Sequence, residues 1–187
     1  MPTFTTDWFS IHIPSWKKIL DDYKSMPVKI LEIGCFEGRA TLWLLKNLPQ
    51  CTIWANDVFE QTSEYKEYGD YNHNYYDNFI SNIEPYKDRV TVLRGYSFYV
   101  LQDLIKESKS FNVIYIDGSH KAINVLQDMI LGWELLKDNG IMICDDYKWD
   151  RFPDNPKPAI DAFLDIYKDK YILLEKDSQV IVKKNGL

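Results

Sequence analysis

Apolar positions along the chain fall into short runs separated by amphipathic segments. The runs are "VKILEIG", "CTIWANDVF", "RVTVLRG", "FNVIYIDG" and "GIMICDD". Val113 to Ile116 are consecutive and apolar, as are Ile141 to Cys144. Unbroken runs of this length predict strands covered on both faces, as in a parallel sheet flanked by helices. Between them, Lys121 to Lys137 reads as a helix. Ala122, Val125, Met129, Trp133 and Leu136 form its buried stripe, while Asn124, Asp128, Glu134 and Lys137 lie elsewhere on the wheel. Asn139-Gly140 supplies the predicted stop. Pro158 opens another helix, with Ile160, Phe163, Leu164 and Tyr167 as its inner side. Trp16, Ile19, Leu20 and Tyr23 predict one more near the start. "YILLEKDSQVIVKK" breaks the rhythm: it reads as two strands around Asp177-Ser178, a hairpin rather than a crossover. The pattern predicts an α/β sandwich with right-handed crossovers, a mostly parallel sheet and one antiparallel strand at the C-terminal end. Residues 60–76 and 147–158 stay irregular and aromatic.

Composition narrows the class. The 187 residues suit one domain. A net charge of -6 argues against a sequence-independent nucleic-acid binder, which needs a basic footprint. Cys35, Cys51 and Cys144 are an odd count without disulfide or zinc spacing, so reduced, buried thiols of a cytoplasmic protein are expected. No apolar stretch is long enough to span a bilayer, and "MPTFTTDWFS" lacks a signal pattern, so no membrane association is expected. Homo-oligomer formation is left open.

The chemistry concentrates at strand ends, where open α/β sheets bind their ligands. "LEIGCFEGRAT" follows the first strand. Gly34 allows close backbone approach, and Gly38 lets the helix start near a ligand. The dinucleotide fingerprint G-x-G-x-x-G is absent, because position 36 is Phe. Glu32, two residues before Gly34, would repel a pyrophosphate and suits a cationic ligand such as S-adenosylmethionine, with its ammonium and sulfonium. Asp57 closes the second strand and can accept hydrogen bonds from two ribose hydroxyls. A second constellation joins Asp117 and His120 of "YIDGSH" to Asp145 and Asp146 of "MICDDY". Crowded carboxylates repel one another unless a cation sits among them, and Mg²⁺ fits an all-oxygen set. Asp145 and Asp146 share an ion only if the strand ends there, since neighbouring strand residues point to opposite faces. Each of these residues also has a plainer use: Asp117 as a helix cap, Asp146 as a solvated loop acid, His120 as a packing residue.

E-x-G-x-x-x-G after the first strand, an acid ending the second and a terminal hairpin together resemble the class I S-adenosylmethionine-dependent methyltransferases over nearly the whole chain. The resemblance implies a Rossmann-like three-layer sandwich with a seven-stranded sheet. It also implies a single methyltransferase domain, 1–187, with 1–27 an N-terminal helical, aromatic extension and 28–187 the catalytic core. By position it puts Gly34, Phe36 and Gly38 in the cofactor loop and Asp57 on the ribose. Ser97 falls where related enzymes place a residue near the adenine; a helix N-cap is the equal alternative. Many relatives carry Ser or Thr two residues after the second glycine, where this chain has Ala40 and then Thr41. The layout from Ile116 to Tyr147 resembles metal-dependent O-methyltransferases, and more closely the branch of macrolide-sugar and aminocoumarin O-methyltransferases with cephalosporin hydroxylase-like proteins. That resemblance implies Asp117, Asp145 and Asp146 as magnesium ligands, Asp117 as a cofactor-side and catalytic residue, and His120 as the base. The implied reaction is methyl transfer to a hydroxyl of a small molecule or sugar. A metal-independent methyltransferase and a non-catalytic cofactor-binding module are the alternatives. Trp8, Phe9, Trp16, Tyr147, Trp149, Phe152 and the 60–76 loop are candidate acceptor-pocket residues. Packing is the expected fate of Trp16, while Trp149 and Phe152 are expected in a lid.

Overall fold

The computed structural model describes residues 2–60, 62, 64 and 75–186. The five apolar runs form β1 (Val28–Ile33), β2 (Cys51–Asp57), β3 (Val90–Arg94), β4 (Phe111–Ile116) and β5 (Leu136–Cys144), all parallel. β6 (Tyr171–Lys176) and β7 (Val180–Lys184) make the predicted hairpin, and β7 lies antiparallel to both β5 and β6. The seven-stranded order is β3-β2-β1-β4-β5-β7-β6, so the direction of winding reverses between β1 and β4. This is a Rossmann-like sandwich with the site expected beyond that switch point.

Strand alternation sorts the core into two layers. Ile30, Ile53, Val113, Tyr115, Ile141 and Ile143 face one way, against Trp16, Leu44, Phe79 and their neighbours. These come from α1 (Ile13–Ile19), α2 (Arg39–Asn47) and α3 (Tyr75–Ile83). Leu31, Ile33, Ile114, Ile116, Met142 and Cys144 face the other way, against α4 (Ser97–Lys106), α5 (Ala122–Leu135) and α6 (Pro156–Ile166). Trp16 is fully buried, as expected for a packing residue. The three cysteines are buried and unpaired. No helix among the described residues is long and apolar enough to cross a membrane.

Three local expectations need correction. Helix α5 ends at Leu135, and Leu136 already pairs with Phe111 of β4, so Asn139-Gly140 does not stop a helix. Asn139 instead takes a positive φ of 60° within the irregular start of β5. Helix α6 begins two residues earlier than Pro158, at Pro156, because the Asn155 side chain accepts the Lys157 N–H and caps it. Asp128, placed on the polar side of its helix by periodicity, is only 1% exposed.

Candidate active site

The glycine loop between β1 and α2 is fixed by backbone geometry. Gly34 has φ +82°, and a Cβ there would lie 1.9 Å from the Asp117 carbonyl oxygen. Only a residue without a side chain lets the ends of β1 and β4 approach so closely. Gly38 has φ +77° and serves as the N-cap of α2, and a Cβ on it would meet Phe79 at 2.8 Å. Phe36, between them, also has positive φ and stacks on Tyr75 with centroids 5.2 Å apart. Asp57 organises this loop. Its Oδ2 accepts the N–H groups of Cys35 (3.0 Å) and Phe36 (2.9 Å), and its Oδ1 accepts that of Phe59 (2.8 Å). Burial raises the Asp57 carboxyl above its usual range, and these backbone donors oppose the shift. The carboxylate expected on a ribose is therefore first a brace for the loop.

Glu32 has the more exposed chemistry despite being buried. Its Oε2 accepts the Thr41 hydroxyl at 2.6 Å, so the hydroxyl missing at Ala40 is supplied one residue later. Its Oε1 is buried without a hydrogen-bond partner. Burial above all raises the carboxyl to about 8; the Thr41 bond opposes this and Asp57 adds to it. Glu32 lines a cavity with Gly34, Phe36, Glu37, Tyr115 and Asp117, walled by Phe4, Trp8 and Phe9. An orphaned acid oxygen among aromatic faces fits a cationic group, which would satisfy Oε1 and return Glu32 to its ionised form. Trp8 and Phe9, expected around the acceptor, thus stand at the glycine loop.

The second constellation divides along the strand faces. Tyr115 of β4, Asp117 just beyond it and Asp145 beyond β5 come together. The Tyr115 hydroxyl lies 2.8 Å from Asp117 Oδ2 and 2.6 Å from Asp145 Oδ2. Asp145 also accepts the Gln179 amide at 2.7 Å and faces His12 Nε2 at 3.6 Å. One phenolic proton cannot serve two carboxylates, so the pair needs a further proton or a cation. Burial, then the Asp145 and Asp146 charges, push Asp117 well above the carboxylate range. Asp146, with φ 61°, turns to the other side and meets His120 Nε2 at 2.9 Å. The three expected metal ligands are therefore not gathered: among the described residues no three acidic, histidine or cysteine groups converge on a metal position. The strand ends at Cys144, but Tyr115 and Gln179 hold Asp145 while the positive φ of Asp146 turns its carboxylate to His120. The donor chemistry still suits a divalent cation, since two buried carboxylates share one phenolic proton.

His120 is held from two sides. Glu64 accepts its backbone N–H and lies 3.3 Å from Nδ1, and it also accepts the Ser119 hydroxyl at 2.8 Å. Burial opposes charge on the ring, but the Asp146 and Glu64 contacts outweigh it and raise His120 to about 10. In this arrangement His120 is an imidazolium. Trp149 lies against the ring, 4.6 Å between centroids, with Phe152 5.7 Å beyond it. Most of the aromatic 60–76 loop lies outside the described residues. Ser97 is the first residue of α4, with Tyr96 as N-cap, and it eases the upward shift that burial gives the Asp128 carboxyl. The N-cap alternative for Ser97 is not realised.

Glu37, Glu64, Tyr115 and Gln179 were not singled out by the sequence, whereas Thr41 was visible as the hydroxyl after Ala40. Tyr115 reads as part of an apolar run, yet its spacing two before Asp117 puts both on one strand face. Glu37 was visible only as a second acid inside "GCFEG".

Residues 31–147 match the family model described as "Methyltransferase domain". No curated protein matches significantly. Among solved structures, the O-methyltransferase from Bacillus cereus in complex with SAH is 20% identical with a TM-score of 0.72, covering 97% of this chain and 84% of that one. MycE methyltransferase of the mycinamycin biosynthetic pathway, in complex with Mg and SAH, is 14% identical with a TM-score of 0.69 over 98% of this chain. The chain spans about half (50%) of the MycE chain. The O-methyltransferase NovP is 16% identical with a TM-score of 0.68, covering 94% of this chain and 80% of that one.

Proposed function

The chain belongs to the methyltransferase-domain family, and on that premise we propose that it transfers a methyl group from S-adenosylmethionine to a hydroxyl of a small molecule or sugar. The observation that carries this reading is the unpartnered Glu32 Oε1 in a cavity of aromatic rings beside the glycine loop. A sulfonium cofactor with an ammonium group answers that vacancy; a pyrophosphate does not. Gly34, Phe36 and Gly38 shape the loop for it, Asp57 braces the loop, and Ser97 stands at the start of α4 for the adenine end. Asp117 borders both the cofactor cavity and the acid cluster, so it links the methyl donor to the acceptor.

In the reaction the acceptor oxygen attacks the methyl carbon, the carbon–sulfur bond breaks with its electron pair kept by sulfur, and the hydroxyl proton leaves to a base. We assign that role to His120, which lies beside Trp149. It can accept a proton only after its own contact with Asp146 opens, because an imidazolium is already loaded. Asp117, Asp145 and Asp146 are the residues that would hold Mg²⁺, with Asp146 turning away from His120. Bound there, Mg²⁺ would orient the acceptor oxygen and lower its pKa. Positioning supplies much of the remaining rate.

A metal-independent reaction is the second reading, favoured by the bonds that already engage Asp145 with Tyr115 and Gln179. One experiment tests both. The protein is incubated with methyl-labelled S-adenosylmethionine and a metabolite extract, with Mg²⁺ or with chelator, and labelled products are identified by mass spectrometry. Label in a hydroxylated small molecule supports the main reading, and its loss in chelator supports the metal. Equal labelling in chelator favours the second reading; no labelled product in either arm counts against methyl transfer. Mn²⁺ binding followed by electron paramagnetic resonance checks the metal site without turnover.

A further inference from the structure

The wall of the cofactor cavity nearest Trp8 is built by residues 2–12, a strap tied to the glycine loop itself. Thr5 donates through its backbone N–H (2.6 Å) and its hydroxyl (3.1 Å) to the Glu37 carboxylate. Arg39 donates through Nε (3.0 Å) and Nη2 (2.8 Å) to the Thr6 carbonyl and reaches Asp7 at 3.3 Å. Its guanidinium also stands over the Phe4 ring, 4.2 Å from the centroid. Asn82 of α3 closes the arrangement, accepting the Thr3 N–H at 2.7 Å and donating to the Thr3 carbonyl at 2.8 Å. On the inner side Phe4, Thr6 and Trp8 line the same cavity as Glu32, and Trp8 leans on Phe36 with centroids 5.4 Å apart.

Two consequences follow from where the ties end. Glu37 lies between Phe36 and Gly38, and Arg39 opens α2, so the strap is fastened to the loop that shapes the cavity. Glu37 is 1% exposed, and of its three side-chain donors two belong to Thr5 and one to Asn78. Lifting the strap would leave a buried carboxylate short of donors, which makes the closed form the resting one. A ligand next to Glu32 then lies against the strap, and its exchange is coupled to the ties.

We propose that this strap is a binding wall of the S-adenosylmethionine site, with Phe4 and Trp8 against the bound cofactor. Glu37 and Arg39 latch it and set the rate at which cofactor and product exchange. The proposal rests on the reading that the cavity takes S-adenosylmethionine. The test is the dissociation rate of labelled S-adenosylhomocysteine, chased with unlabelled compound, from the unaltered protein and from Trp8→Ala, Glu37→Gln, Arg39→Ala and Arg39→Lys. Loss of charge-assisted ties is expected to speed release about tenfold in Glu37→Gln and Arg39→Ala, with Arg39→Lys partly restored. Trp8→Ala, a half-exposed position that bears none of the ties, is expected to speed release several-fold. In parallel, chymotrypsin, which cuts after Phe4, Trp8 and Phe9, should cleave the unaltered protein about tenfold more slowly when S-adenosylhomocysteine saturates it. Binding with unchanged release in Trp8→Ala and unchanged cleavage on saturation would overturn the wall while leaving the cofactor reading intact. No binding to the unaltered protein would overturn both.

Discussion

The glycine-loop side and the acid-cluster side of the same strand edge are built from different materials. Around the loop, the bonds that hold the shape run to backbone groups: Cys35, Phe36 and Phe59 N–H to Asp57, and Gly38 N–H to the Cys35 carbonyl at 2.7 Å. At the Asp117, Asp145 and Asp146 carboxylates they run largely between side chains, through Tyr115, Gln179, His12 and His120. Backbone ties leave one geometry, and the orphaned Glu32 Oε1 marks what is missing from it. Side-chain ties can be exchanged for others by rotation about χ angles. The first side is a preformed receptor; the second is an arrangement that a cation or an acceptor can re-order.

The largest expected effect breaks the first side. Gly34→Ala puts a Cβ on the Asp117 carbonyl and forces β1 from β4. It should cost about 3 kcal/mol or more and remove S-adenosylhomocysteine binding; thermal unfolding and calorimetry check both. Asp145→Ala breaks the second side instead. It leaves the Gln179 amide without its acceptor and the Tyr115 hydroxyl with Asp117 alone, for a loss of about 2 kcal/mol, and should abolish turnover while cofactor binding persists. Cofactor binding lost together with turnover would mean that the two sides are not separable.

A smaller effect concerns pH. Glu32 is held at about 8 against an ordinary 4.5, so between those values the folded protein binds a proton that the unfolded chain releases. Ligand-free stability should therefore fall as pH rises from about 5 to 8, by on the order of 2 kcal/mol for this group. Glu32→Gln, neutral throughout, should flatten that part of the profile, measured by denaturant unfolding across the range. Asp128, raised by burial to about 7, contributes in the same direction and persists in the variant. The smallest effect sharpens the acceptor side: Trp149→Ala removes a ring from the His120 face and should raise the acceptor KM about fivefold with cofactor affinity unchanged.

The contrast also explains what the sequence made legible. Strands, hairpin and winding were readable because long apolar runs, and the turn at Asp177-Ser178, leave few alternatives. Gly34 and Gly38 were readable because their function is to lack a side chain. Asp117, Asp145 and Asp146 were readable as a cluster of charge but not as an arrangement. Which way Asp146 turns depends on a single positive φ and on His120, 26 residues before it in sequence. Tyr115 hid in an apolar run, since a phenol counts as hydrophobic until its hydroxyl finds a partner. Asp128 misled the helix wheel in the same way, being a polar residue on a face that turns out to be covered.

The central claim is that Glu32 receives the charge of S-adenosylmethionine. It is tested most directly by calorimetric titration of the ligand-free protein with S-adenosylmethionine at about pH 6.5, in two buffers of different ionisation enthalpy. The account predicts saturable binding to one site with close to one proton released, because Glu32 gives up its proton to meet the cation. In Glu32→Gln that release should disappear. Absence of saturable heat, or the same proton release from Glu32→Gln, would contradict it.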